Sequence, residues 1–142
     1  MKIQYKILLV AIPIAILAFL LTNVIWPDRP DAINPDASLL PYFLLLSLIE
    51  CFAFGVGIAL AFFGWPYLGR LNHQDRMLSR ATFISIVWAL ISWWPHDNMH
   101  RVNGLSDLHG LISIMFIYHA SLIVVAFIIA TYFWRQISRA TS

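Results

Sequence analysis

The sequence predicts an all-α integral membrane protein built as a bundle of four membrane-spanning helices. Hydrophobic residues make up 61% of the 142 residues and charged residues only 11%, and a soluble domain of this size has too little interior to bury so much apolar surface. The chain also has four stretches long enough to cross a hydrocarbon core of about 30 Å, which needs roughly 20 helical residues. The whole chain, residues 1–142, is therefore expected to form one transmembrane domain.

The four stretches cover residues 7–26, 39–68, 81–94 and 108–134. The first follows Lys2 and Lys6 as a secretory signal would, but it is longer than a signal peptide and has no small-residue cleavage site, so it is interpreted as a retained helix. The third is the shortest and ends at Trp93 and Trp94, a pair typical of a helix end at headgroup level. Pro95 is expected to end this helix, with a short interfacial helix or turn after it.

The basic residues predict the orientation. In a four-span arrangement only Arg29 and Arg101 lie on one side, and the other seven lie opposite: Lys2, Lys6, Arg70, Arg76, Arg80, Arg135 and Arg139. Basic segments stay in the cytoplasm, so both termini are expected inside (N-in and C-in), in a bacterial inner (cell) membrane. The net charge is only +2, and most basic residues lie on the predicted cytoplasmic side, where they can contact lipid. The lipid bilayer is therefore the expected partner, and nucleic-acid binding is not expected.

A group of histidines and aspartates follows the third stretch. His96 and His100 are four residues apart, so in a helical turn they share a face, and Asp97 lies three residues before His100. His109 can approach from the start of the fourth helix. We predict an outward-facing metal site formed by His96, Asp97, His100 and His109. Because Cys51 is the only cysteine, copper, zinc or non-haem iron is favoured over an iron–sulfur cluster.

Two other interpretations fit the same residues. In the first, they form an interfacial loop whose polar side chains bind headgroups and turn carbonyls. In the second, His109 and either His96 or His100 are axial ligands of a haem. That haem would be bound non-covalently, because the chain has no CxxCH attachment motif.

Glu50 is the one charged residue within the long apolar stretches. If its helix begins near Leu39, Glu50 is about 16 Å deep, and His119 is about 17 Å below the start of the fourth helix. The matching depth predicts a polar pair of Glu50 and His119 inside the membrane. Small residues every four positions, at Ala53, Gly57 and Ala61, predict close helix packing beside Glu50. The plainer alternative is that both polar groups only bridge helices.

Three functional classes fit these residues. The leading one is a membrane protein with a metal or cofactor site, acting as an oxidoreductase or as the metal-site subunit of one. The second is a small proton-coupled transporter that uses Glu50 and His119. The third is a structural accessory subunit of a larger membrane complex, and a homo-oligomer is also expected. Ser106, Asp107 and His109 are too close along the chain to form a catalytic triad.

Overall fold

The computed structural model describes residues 3–28, 36–68, 75–103 and 108–141, and these ranges are helical almost throughout. The helices are α1 (Ile3–Ile25), α2 (Leu40–Phe63), α3 (Trp65–Leu68), α4 (Arg76–Asn103), α5 (Leu108–Ile114) and α6 (Ser121–Ala140), with a π-helix, Met115–Ala120, between α5 and α6. The described ranges contain no strand. The predicted all-α, four-helix fold is confirmed.

Four helical segments are long and apolar enough to cross a membrane: Ile3–Ile25, Leu40–Phe63, Arg76–Asn103 and His109–Ala140. The last of these, here called the fourth span, runs through α5, the π-helix and α6. Large apolar side chains such as Leu9, Phe116 and Phe127 are exposed on the bundle surface, where lipid covers them in a membrane. The chain is a multi-pass membrane protein.

The spans pack in chain order, α1 on α2, α2 on α4, and α4 on the fourth span. Glycines allow the first two contacts to be close. A methyl group at Gly55 would overlap the backbone oxygen of Ala11 in α1, and one at Gly57 would press on Ile91 in α4. Because glycine has no side chain, the helix backbones can approach closely at these two positions.

Ion pairs connect the helices at both ends of the bundle. We call the end where α1 ends and α2 begins the Trp26 end; there Arg101 of α4 lies 3.3 Å from Asp28 and donates a hydrogen bond to the Trp26 carbonyl oxygen. At the opposite end Arg135 of α6 donates to Asp75, at 2.6 Å. Such exposed pairs add little stability, but they fix which helix ends are neighbours.

The course of α4 differs from the expectation for the third stretch. The helix continues through Pro95 to Asn103, so the residues expected to form an interfacial helix or turn are the last turns of α4. Proline removes one backbone donor, and helices in membranes tolerate this loss. As a result His96 and His100 lie on a regular helix, on the face opposite to Trp94 and Asn98. With 28 residues, α4 is about 42 Å long and exceeds the hydrocarbon thickness.

Candidate metal centre

Three histidine side chains converge between α4 and the fourth span. Nε2 of His96 lies 3.1 Å from Nε2 of His119 and 3.1 Å from Nε2 of His100. Each of the three side chains offers one atom that could bind a metal, and among the described residues these three atoms lie within 4.8 Å of one another. All three side chains are half-buried. His96, His100 and His119, the histidine cluster, are positioned to hold a metal ion.

The helix α4 contributes two of the three histidines in the cluster. His96 and His100 are separated by one helical turn, which places both side chains on one face, and their ring centroids are 4.8 Å apart. This is the face on which α4 packs against the fourth span. Because α4 is continuous through Pro95, the spacing of these two histidines is set by a rigid helix.

The π-helix contributes the third histidine of the cluster. Single π-helical turns are rare and occur often at functional sites, and this one contains both Tyr118 and His119. The Tyr118 ring stacks on His96, with centroids 5.0 Å apart and an interplanar angle of 19°. The His119 ring meets the same imidazole nearly edge-on, at 4.7 Å and 83°. Two consecutive residues of the π-helix therefore contact His96 from different directions.

Met115 contacts the outer nitrogen of His119. Its Sδ lies 2.9 Å from Nδ1 of His119, one turn along the π-helix. A thioether can accept a hydrogen bond but cannot donate one, so this contact is a hydrogen bond when neutral His119 has its hydrogen on Nδ1, which leaves the lone pair on Nε2. Fixing the tautomer through the outer nitrogen is how proteins commonly orient a metal-binding imidazole. The Nε2 lone pair of His119 is thus directed at the cluster.

Hydrogen bonds among the three rings cannot give all three Nε2 atoms a partner of their own. A neutral imidazole nitrogen has either one hydrogen or one lone pair, yet Nε2 of His96 faces both other rings at 3.1 Å. If His96 donates to His119, the same hydrogen must also serve the contact with His100. A cation among the rings would accept all three lone pairs. Two imidazoles on one tetrahedral zinc-like ion, each about 2.0–2.1 Å from it, have nitrogens about 3.3 Å apart, which is close to the 3.1 Å between His96 and each of the other two histidines.

The predicted set and the observed cluster share His96 and His100. The structure places His109 in an exposed position at the second residue of α5, about 15 Å along the helix from His119. Asp97 is also exposed and lies about 100° around α4 from His96. Neither residue belongs to the cluster, and His119 occupies the position expected for His109. Asp107, which adjoins this group in the sequence, lies outside the described residues.

The structure does not bring Glu50 and His119 together. Glu50 on α2 is 2% exposed, and α4 packs between α2 and the fourth span. Both ring nitrogens of His119 are engaged, with His96 and with Met115. Within the described part of the chain no hydrogen bond or ion pair joins Glu50 to His119, although the depth of the two residues is similar.

Sequence reasoning missed Met115 and Tyr118. The signal for Met115 was its position four residues before His119, on the same helical face. Tyr118 gave no such signal, because neighbouring residues of a regular helix point about 100° apart. Only the π-helical turn brings its ring onto His96 together with His119.

The chain was compared with protein-family models, with curated proteins and with solved structures, and it matches none of them.

Proposed function

We propose that this protein binds one transition-metal ion through His96, His100 and His119 and acts as a membrane oxidoreductase or as the metal-bearing subunit of one. The observation that carries the proposal is the position of the His96 Nε2 atom, 3.1 Å from the Nε2 atoms of both other histidines. Imidazoles grouped inside a membrane protein are costly unless they have partners. A bound ion would supply that partner.

The proposed oxidoreductase role requires a redox-active ion. Imidazole suits copper, iron and zinc alike, but zinc has no redox chemistry. The thioether of Met115 contacts Nδ1 of His119, on the side of the ring away from Nε2, so it would orient this imidazole and not bind the ion itself. With three protein ligands, a fourth coordination position stays open for a small molecule, as in catalytic metal sites. Because affinity for divalent first-row ions generally peaks at copper, copper is the ion we favour, with iron as the second candidate.

The spacing of the cluster argues against haem. Two axial ligands of a haem iron lie on opposite sides of the macrocycle, which separates their nitrogens. The nitrogens of His96 and His119 face each other at 3.1 Å, which leaves no space for a macrocycle between them. His109, the other axial ligand considered from the sequence, is exposed and outside the cluster.

The location of the centre follows from the orientation we propose. The bias of basic residues supports placing the Trp26 end at the outer face of a bacterial inner membrane. His96 lies seven residues before the end of α4, about 10 Å along the helix. The centre would then be reached from the outside. The exposed apolar surface of the fourth span is compatible with lipid, with a second copy or with a larger membrane complex.

Metal analysis of the detergent-purified protein tests the proposal directly. We expect about one equivalent of copper or iron per chain by elemental analysis. A visible absorption spectrum should lack the bands of haem. Reconstituting the chelated protein with copper, iron or zinc in turn would rank the ions by affinity. Purified protein that holds no metal and takes up none of the three ions would overturn the proposal.

A further inference from the structure

Glu50 lies in a second polar site, on the other side of α4 from the histidine cluster. It is ten residues after the start of α2, about 15 Å along the helix. The contact of Gly57 with Ile91 and the antiparallel course of α2 and α4 place Glu50 level with Asn98. Both side chains are buried, Glu50 at 2% exposure and Asn98 at 4%. Asn98 belongs to the face of α4 opposite to His96 and His100.

One oxygen of the Glu50 carboxyl group, Oε1, is buried and has no hydrogen-bond partner. Asn98, at the same level, uses its side-chain amide to donate to the Trp94 carbonyl oxygen, at 2.7 Å. A buried polar atom without a partner is uncommon and costs free energy. The cost is far greater for a carboxylate that also carries its charge into an apolar interior.

The charged groups that face Glu50 from α4 are Asp97 and Arg101. On its other side α1 offers none, because the chain has no ionisable side chain between Lys6 and Asp28. On α2 itself the neighbouring thiol of Cys51 is the only other titratable group nearby. The short helix α3 follows the opposite end of α2.

The guanidinium group of Arg101 is committed elsewhere. It lies 3.3 Å from Asp28 and donates hydrogen bonds to the Trp26 carbonyl oxygen and to Oδ1 of Asn23. Asn23 lies in the last turn of α1, and Trp26 and Asp28 directly follow that helix. Its positive charge is therefore shared with Asp28, and no described contact neutralises Glu50.

We propose that Glu50 is a proton-binding site that exchanges its proton with the solution at the Trp26 end of the bundle, independently of the histidine cluster. A proton removes the buried charge and gives the carboxyl group a donor. The nearby carboxylate of Asp97 adds negative potential, which favours a positive ligand. At the Trp26 end, Glu50 is about 15 Å from the start of α2, but its level corresponds to Asn98, only five residues and about 8 Å before the end of α4. Buried carboxyl groups of this kind serve proton-coupled functions in membranes.

Infrared difference spectroscopy of the full chain in lipid tests the site. Spectra at acid and alkaline pH should differ by the carbonyl band of one protonated carboxyl group, and this band should shift in deuterated buffer. Glu50→Gln, which keeps the shape of the side chain, should remove the band completely. The metal content of the same variant should equal that of the wild type, because Glu50 lies on the other face of α4.

Asp36 provides the matched control. It is exposed, and hydrogen bonds from the Ser38 backbone N–H and hydroxyl lower its pKa from the ordinary value. Asp36 therefore stays ionised in mildly acid buffer, and Asp36→Asn should leave the band unchanged. A titration midpoint that shifts with sodium concentration at constant ionic strength would assign the site to a metal cation and overturn the proposal.

Three further results would also overturn it. These are a Glu50 band that is present at every pH and does not exchange, the absence of any such band, and a Glu50→Gln variant that loses its metal. The first would mean a permanently neutral packing residue, and the last a carboxyl group that belongs to the metal centre. Because the wild-type band can be measured in metal-free protein, failure of the metal proposal would leave this result intact.

Discussion

Nε2 of His96 lies 3.1 Å from Nε2 of His119 across the contact between α4 and the π-helix, although the two residues are 23 positions apart in the chain. His119 is held by Met115 through its other ring nitrogen, and His96 is held by the Tyr118 ring stacked against it. The facing nitrogens therefore have fixed directions before any ligand binds. Such preorganisation lowers the ordering cost of binding an ion.

Removing any one histidine of the cluster should weaken metal binding. Alanine at His96, His100 or His119 deletes a proposed ligand. Changes around a ligand typically lower metal affinity by roughly 10- to 100-fold, so we expect the affinity to fall by at least this much. Isothermal titration calorimetry of the metal-free protein with the metal ion measures the affinity. His109→Ala is the matched control and should bind as the wild type does. Loss of binding in His109→Ala, with His119→Ala unaffected, would favour the set predicted from sequence.

Metal affinity should fall as the solution becomes acidic. A ligand nitrogen must be unprotonated to bind, so protons compete with the ion for each imidazole. Affinity should be nearly constant in alkaline solution and decrease in acid, by up to about tenfold per pH unit for each histidine that must lose a proton. Competition with a chelator of known affinity at each pH gives the curve. The same affinity at neutral and mildly acid pH would exclude an imidazole-bound ion.

Met115→Leu should reduce metal affinity without unfolding the protein. Leucine fills a similar volume but cannot accept the hydrogen bond from Nδ1 of His119, so the imidazole loses its fixed tautomer. We expect a decrease of roughly tenfold, at the low end of the range for groups that orient a ligand, because a thioether is a weak acceptor. Met115→Gln, which restores an acceptor, should recover part of it. Met77→Leu is the control, since Met77 is 85% exposed at the far end of α4.

Gly55→Ala should destabilise the bundle. The added methyl group would overlap the backbone oxygen of Ala11, so α1 and α2 would have to separate, at a cost of about 1–3 kcal/mol. The change can be followed as the unfolding free energy in detergent. Ala61→Val also adds carbon atoms to α2, but at an exposed position, and should cost much less. Equal effects of the two substitutions would show that the close contact at Gly55 is unimportant.

The proposed orientation can be measured by cysteine labelling. Cys51 is buried, so the wild type should react little with a membrane-impermeant thiol reagent. In intact cells Asp36→Cys should be labelled from outside, and Thr141→Cys only after the membrane is opened. Both positions are exposed in the structure. The reverse pattern would place the Trp26 end in the cytoplasm and contradict the positive-inside argument.

The number and type of helices could be predicted from the sequence because they depend on local properties. Each span is a long apolar run, and such a run in lipid must form its own backbone hydrogen bonds, which a helix does. The helical spacing of His96 and His100 follows in the same way. The end of the third span was harder to predict, because Pro95 can end a helix or lie within one.

The composition of the histidine cluster depended on tertiary structure. Depth alone paired His119 with Glu50, but depth gives no information about which helices are neighbours. The position of α4 between α2 and the fourth span separates these two residues and leaves Glu50 facing Asp97 and Arg101. The π-helix then directs His119 toward His96. The sequence thus determined the membrane helices and the spacing along each one, whereas helix packing decided which polar side chains meet, because that depends on contacts between residues distant in the chain.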